Sequence, residues 1–122
     1  YVAVVDCGTA INPALAEGQV EGAIANGIGY ALFEEMDFTS SGRCVSTDLG
    51  RYKIASARDV PRIEVVLVES SEPTGPMGAK SVAEIGINAP LPTIASAIED
   101  AVGIRLTESP FTPERLWRAM YE

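Results

Sequence analysis

Residues 12–36 read NPALAEGQVEGAIANGIGYALFEEM, and this stretch decides the fold. Asn12 is suited to cap a helix because its side chain accepts hydrogen bonds from the first free backbone N–H groups. Pro13 supplies a preset φ at the first helical position. The sequence therefore predicts one long helix from about Pro13 to Met36, around which the other elements must be arranged.

The predicted helix is unusual in its glycine content. It contains Gly18, Gly22, Gly27 and Gly29. Each glycine costs about 1 kcal/mol relative to alanine inside a helix, so a compensating role is expected. Gly18, Gly22 and Gly29 fall on one side of a 3.6-residue helix, where another backbone or a flat ligand could approach closely. Tight helix packing explains such a stripe about equally well. Gln19 lies beside it, with an amide that both donates and accepts hydrogen bonds.

Shorter elements flank this helix. The sequence predicts strands at residues 2–6, 63–69 and 104–107, a helix that opens at residues 88–90 and ends at Gly103, and a helix from residue 112 to about residue 121. The run from Ile63 to Glu69 is typical of a central strand buried on both faces. This order predicts an α+β fold, in which a mixed sheet packs with the long Gly-rich helix and two further helices.

Composition excludes several function classes. There are 17 acidic and 9 basic residues, a net charge of −8, so nucleic acid is not an expected partner. With two cysteines and no histidine, this chain alone cannot build a zinc site or an iron–sulfur cluster. No apolar run approaches about 20 residues, which predicts a soluble, cytoplasmic protein without a membrane partner. The first residues, YVAVVD, read as the middle of a core strand, which indicates a fragment or a split subunit.

A second informative segment reads GAKSVAE, residues 78–84. Glu84 has apolar neighbours on both sides, so burial is expected to raise its pKa towards the working range of a general base. A solvent-facing glutamate on a short helix is the alternative. The Gly-rich residues 75–81 have the wrong spacing for a phosphate loop, but they are a candidate anion-binding turn.

Four segments, in this order, resemble one known family. They are DCGTAINP (residues 6–13), GQVEGA (18–23), GIGYALFEE (27–35) and GAKSVAE (78–84). Together they are similar to the C-terminal part of the molybdenum-binding subunit of the xanthine dehydrogenase and aldehyde oxidase family. The resemblance covers nearly the whole chain. It implies that residues 1–122 form a single domain, a C-terminal fragment of the molybdenum cofactor-binding domain.

The resemblance also implies a chemistry. Such enzymes hydroxylate a carbon of an aldehyde or N-heterocycle with oxygen from water, and Glu84 matches their catalytic base. Gln19, Lys80, Ser81 and Val82 match positions that line the molybdenum–molybdopterin cofactor, in its simple or cytosine dinucleotide form. The chain contributes no metal ligand. Iron–sulfur clusters and FAD would lie on other domains or subunits, which are expected partners together with the remainder of the molybdenum subunit.

Two alternatives stay open at this point. In the first, the chain is an acidic interaction or assembly module without chemistry of its own. In the second, it is a non-catalytic paralogue of the family. Glu84 distinguishes the first alternative from an enzyme, because a binding module would tolerate glutamine there, whereas a molybdenum hydroxylase would lose its base. On any of these interpretations the isolated chain is expected to be inactive.

Overall fold

A computed structural model describes all residues from Tyr1 to Glu122. The elements are β1 (Val2–Asp6), α1 (Pro13–Leu32), β2 (Glu64–Val68), a 3-10 turn (Pro76–Gly78), α2 (Ile85–Asn88), α3 (Pro90–Val102) and α4 (Pro113–Tyr121). The predicted α+β class and the long glycine-containing helix are confirmed. None of the helices combines the length and apolar character needed to cross a bilayer.

The sheet is smaller than expected, since it consists of β1 and β2 alone. The two strands are parallel, with Val4 opposite Val66, and are therefore joined by a crossover that contains α1. Residues 104–107 form no strand, so that prediction was wrong. The predicted mixed sheet is thus a two-stranded parallel sheet within this chain.

The core lies between the inner face of the sheet and α1. It is formed by Val5, Val20, Ile24 and Ile28, with Val65 and Ile94 among the half-buried side chains packed on it. The outer face of the sheet is uncovered, because β2 alternates between exposed and half-buried residues. The prediction that this strand is buried on both faces is wrong for the chain by itself.

Local capping explains where the helices begin and end. The side chains of Asn12 and Thr112 accept hydrogen bonds from the backbone N–H groups of Leu15 and Arg115, which starts α1 and α4 as predicted. Gly103 ends α3 in the left-handed conformation with φ of 73°. The helix α1 stops at Leu32, four residues before the predicted end, because the N–H groups of Phe33 and Glu34 both turn back to the carbonyl of Gly29.

The glutamates after α1 have structural roles that the sequence did not reveal. The hydroxyl of Tyr52 donates to the carboxylate of Glu34, and this hydrogen bond raises the pKa of Tyr52. Glu35 forms an ion pair with Arg115 of α4. These two contacts attach residues 52 and 115 to the end of α1.

Candidate functional site

A cleft of about 600 Å³ separates α1 from the segment that contains α2. The α1 side is formed by Gln19, Gly22, Ala23 and Asn26, and the other side by Ala83, Glu84, Ile87 and Asn88. Gln19 and Glu84, which are far apart in the sequence, therefore line one site. The cleft combines small residues with four side chains that carry a carboxylate or a carboxamide.

Three contacts hold the 84–90 segment against α1. Gly86 packs directly on the helix, since a Cβ atom there would lie 2.9 Å from the Cβ of Ala23. The hydroxyl of Tyr30 donates to the carbonyl of Ile87. Pro90 sits on Gly27, where an added Cβ would lie 2.5 Å from the Pro90 Cγ. Gly27 and Gly86 thus serve close packing, and this packing positions Glu84 two residues before Gly86.

The polar side chains of the cleft are free to bind a ligand. No residue of the chain forms a hydrogen bond or an ion pair with the side chains of Gln19 or Glu84. Gly22 is equally open, because nothing lies within 4 Å of the position that its Cβ would take. The surface of α1 in the cleft can therefore accept a flat group at close range.

Sequence reasoning missed Asn26 and Asn88 as lining residues. A signal for Asn26 was present, since it follows Gln19 by seven residues, two helical turns, and so shares its face. No local signal existed for Asn88. Its place in the cleft depends on how α2 packs against α1, which is a tertiary effect.

Residues 78–80 (Gly-Ala-Lys) are hydrogen-bonded to the loop that follows β1. The N–H of Thr9 donates to the carbonyl of Gly78 (2.8 Å), and the N–H of Lys80 donates to the carbonyl of Cys7 (2.9 Å). Gly8, with φ of 63°, is required at this crossing, because an added Cβ would stand 2.4 Å from the Gly78 carbonyl oxygen. The two loops therefore form one hydrogen-bonded unit.

An ion pair reinforces this unit. The Nζ of Lys80 lies 2.6 Å from the carboxylate of Asp6 and 2.8 Å from the Oγ of Ser70. The Lys80 ammonium, followed by the N–H of Gly8 and the Ser70 hydroxyl, lowers the pKa of Asp6 to about 2. Asp6 is thus a charge that supports the fold.

The structure places the other predicted site residues outside the 600 Å³ cleft. Lys80 and Val82 line a separate, mostly apolar cavity of about 240 Å³ beside the start of α1. Ser81 is exposed. Of the five predicted site residues, Gln19 and Glu84 share the cleft, and Lys80, Ser81 and Val82 lie on the chain leading into it.

Two expectations about this region need correction. Glu84 is exposed, so its apolar neighbours in the sequence do not bury it within this chain. The backbone of residues 75–81 is mostly unavailable for the predicted anion-binding turn, because four of its N–H groups already donate to carbonyls and only those of Met77 and Ser81 are left. Those of Gly75, Gly78 and Ala79 donate to carbonyls of the same turn, and that of Lys80 donates to Cys7.

Comparison with known proteins gives a consistent result. Residues 1–61 match the family model for the molybdopterin cofactor-binding domain. A probable hypoxanthine oxidase of Escherichia coli K12 is 45% identical over 98% of this chain, which spans 13% of that relative. A putative xanthine dehydrogenase molybdenum-binding subunit of the same organism is 40% identical over 95% of the chain and 16% of the relative.

Solved structures agree with these relatives. Quinoline 2-oxidoreductase from Pseudomonas putida 86 superposes with a TM-score of 0.93 and 35% identity, covering 99% of this chain and 16% of that one. Aldehyde oxidoreductase from Desulfovibrio gigas superposes with a TM-score of 0.90 and 29% sequence identity, and the match covers 99% of this chain and 13% of that one. The chain thus spans about one seventh of the length of the proteins that it matches.

Proposed function

Because this chain belongs to the molybdopterin cofactor-binding family of xanthine dehydrogenase and aldehyde oxidoreductase molybdenum-binding subunits, we propose that it forms the C-terminal part of the cofactor domain of a molybdenum hydroxylase. The observation that carries this proposal is the meeting of Gln19 and Glu84 in one cleft. An interaction module without chemistry has no need for an unpaired carboxylate and an unpaired carboxamide that line one open cleft.

The proposed reaction converts a C–H bond of an aldehyde or N-heterocycle to C–OH with oxygen from water. Overall it releases two protons and two electrons. The relatives named as xanthine dehydrogenase, aldehyde oxidoreductase and quinoline 2-oxidoreductase support this substrate class. A bound molybdenum–molybdopterin group supplies the acceptor for the two electrons. Iron–sulfur and flavin domains or subunits are the proposed route for these electrons out of the site.

The cleft residues fit a pterin. Gln19, Asn26 and Asn88 carry carboxamides, each of which donates and accepts, as the mixed polar edge of a pterin requires. Gly22 leaves the helix surface open for a flat ring. We assign the lining of the cofactor to Gln19 and to the loop of Lys80, Ser81 and Val82. Because the Lys80 ammonium is held by Asp6, its part is to fix that loop.

Glu84 is the proposed general base. Its carboxylate oxygen would take the proton from the water-derived oxygen as that oxygen attacks the substrate carbon. The free carboxylate is available for this step, since no cation of the chain neutralises it. A general base works best when its pKa is near the operating pH and water is excluded. The burial that this requires must come from parts of the subunit outside these 122 residues.

The test is Glu84→Gln in the complete enzyme, which keeps the side-chain size but removes the base. Turnover should fall by about 10²–10⁴-fold or more while molybdenum and pterin content stay constant. Glu108→Gln is the matched control, because Glu108 is exposed, lies outside the cleft and has no partner in the chain. Turnover within a few-fold of wild type for Glu84→Gln at full molybdenum content would refute the catalytic role.

A further inference from the structure

Three polar side chains meet where the two strands end. The last residues of β1 and β2, Asp6 and Val68, lie opposite each other because the strands are parallel. At this edge the Nζ of Lys80 donates to the carboxylate of Asp6 (2.6 Å) and to the Oγ of Ser70 (2.8 Å). The Ser70 hydroxyl donates in turn to the Asp6 carboxylate (2.7 Å). Each member of this Asp6–Ser70–Lys80 cluster is therefore bonded to the other two.

Both sides of the 600 Å³ cleft are continuous with this cluster. From Asp6 the chain runs through residues 7–12 into α1, which carries Gln19. From Lys80 it runs through residues 81–83 to Glu84. The cluster thus joins the two segments that lead to the unpaired carboxamide and the unpaired carboxylate of the cleft, although none of its three members lines the cleft itself.

The segment that carries Glu84 has few bonds to the rest of the fold. Residues 81–85 form no hydrogen bond with another part of the chain, since their hydrogen bonds are all local. Val82 packs against the core. The next contact after Glu84 is that of Gly86 with α1. The place of the Glu84 carboxylate therefore depends on Lys80, four residues before it, and on Gly86, two residues after it.

The exposure of the cluster argues for a role in geometry. The side chains of Lys80 and Asp6 are 34% and 43% exposed, and ion pairs in such surroundings add little to stability. Two backbone hydrogen bonds already join the loops that the pair connects. The three side-chain contacts add a fixed position for the point at which the chain departs for Glu84. The Lys80 ammonium lowers the pKa of Asp6 to about 2, so the pair stays ionised at neutral pH.

We propose that Asp6, Ser70 and Lys80 are positioning residues that hold the Glu84 carboxylate in line with α1 for proton transfer. This inference rests on the proposed role of Glu84 as general base. A general base must lie within hydrogen-bond reach of the proton that it takes. A displacement of about 1 Å, caused by a change far from the reacting atoms, can lower turnover by about 10²-fold.

Lys80→Met in the complete enzyme tests this role, because it keeps most of the side-chain length and removes the ammonium. The kcat per bound molybdenum should fall by about 10–100-fold. The KM should change little, since a misplaced base weakens only the transition state. Lys53→Met is the matched control and should keep kcat, because the chain's other lysine is exposed, forms no ion pair and lies outside the cleft.

Two results of this experiment overturn the proposal. The first is a kcat of Lys80→Met within about twofold of wild type, far from the loss expected for a misplaced group. The second is a loss of molybdenum with unchanged turnover per bound metal, because Lys80 would then support the cofactor and not the base. If Lys80→Met does not assemble, Ser70→Ala decides: it should lower kcat by about threefold or more through the lost hydrogen bonds, and an unchanged kcat overturns the proposal.

A double-variant cycle shows whether the cluster acts through Glu84. In the wild-type background Lys80→Met lowers kcat, whereas in the Glu84→Gln background it should lower the residual turnover by less than about twofold, because residues that act as a unit are not additive. Equal losses in both backgrounds overturn the positioning role. The outcome for Glu84→Gln alone is separate. If that variant keeps turnover, the proposed function fails; if it loses turnover while Lys80→Met does not, only the positioning role fails.

Discussion

Gly27→Ala and Gly18→Ala are the same chemical change on the same helix, yet we expect them to have opposite effects on the stability of the 122-residue chain. At Gly18 an added Cβ meets nothing within 4 Å. Alanine there should stabilise α1 by about 0.8–1.0 kcal/mol through helix propensity alone. At Gly27 the same gain is opposed by a collision, because the Cβ would lie 2.5 Å and 2.7 Å from the Cγ and Cβ of Pro90.

The size of the collision term follows from these distances. Carbon atoms pack best at about 3.5–4.0 Å, so Pro90 and the start of α3 must move by roughly 1 Å. Overpacking of this kind costs about 1–3 kcal/mol. Since the propensity gain is common to both variants, the difference between their free energies of unfolding isolates the packing cost of about 1–3 kcal/mol.

Urea unfolding of the two variants beside the wild type measures that difference, provided that the slope with denaturant stays constant. In a thermal scan each kcal/mol corresponds to roughly 4 °C for a chain of this size. Equal stabilisation by the two alanines would refute the reasoning, because it would mean that Gly27 is not needed for the contact between α1 and α3.

Three further outcomes are expected. Gly22→Leu should stabilise the isolated chain by about 0.5–1 kcal/mol through helix propensity, because the position is open, but should lower the cofactor content of the complete enzyme, measured as bound molybdenum, by filling the cleft. Tyr30→Phe should cost about 1 kcal/mol in urea unfolding, because it removes the hydrogen bond to the Ile87 carbonyl. Asp6 has a folded-state pKa of about 2, below its ordinary value of 3.8, so its contribution to stability is fully present above about pH 4 and is lost as the pH falls through 2. The stability gap between wild type and Asp6→Asn, followed by unfolding at several pH values, should therefore narrow over that window, and a constant gap would contradict the role of the ion pair with Lys80.

The features that the sequence predicted well have local causes. Helix starts at Asn12 and Thr112 depend on a side chain that reaches a backbone N–H three residues later, and the end of α3 depends on one glycine in the left-handed region. The strand β1 follows from a short β-branched run. Such interactions lie within a few residues of each other, so they can be read from one segment at a time.

The features that the sequence predicted poorly depend on distant parts of the chain. The early end of α1 involves Glu34, whose N–H donates to the carbonyl of Gly29 and whose carboxylate accepts a hydrogen bond from the hydroxyl of Tyr52. Residues 104–107 look like a strand, but the chain places no neighbouring strand beside them. The spacing of the glycines in the sequence also does not show that they have different roles. Gly18 is open, whereas Gly27 is packed against Pro90.

The exposure of Glu84 connects these observations to the site. The sequence predicted burial from the apolar residues around it, yet its neighbours Ala83 and Ile85 are themselves exposed, and the carboxylate lines an open cleft. Burial in a fold is set by what packs over a side chain, and this chain forms two sides of the cleft but nothing that covers its opening. The same holds for the outer face of the sheet, where β2 has the sequence of an interior strand and the exposure of a surface strand. The proposed place of this chain within a larger subunit gives both departures one physical cause, because residues suited to a buried environment would be covered there. The complete subunit should therefore bury both Glu84 and the outer face of the sheet. A water-soluble carbodiimide should modify the Glu84 carboxylate readily in the 122-residue chain and much more slowly in the cofactor-loaded subunit, whereas Glu108 should react equally in the two. Equal labelling of Glu84 in both would mean that the rest of the subunit does not cover this cleft.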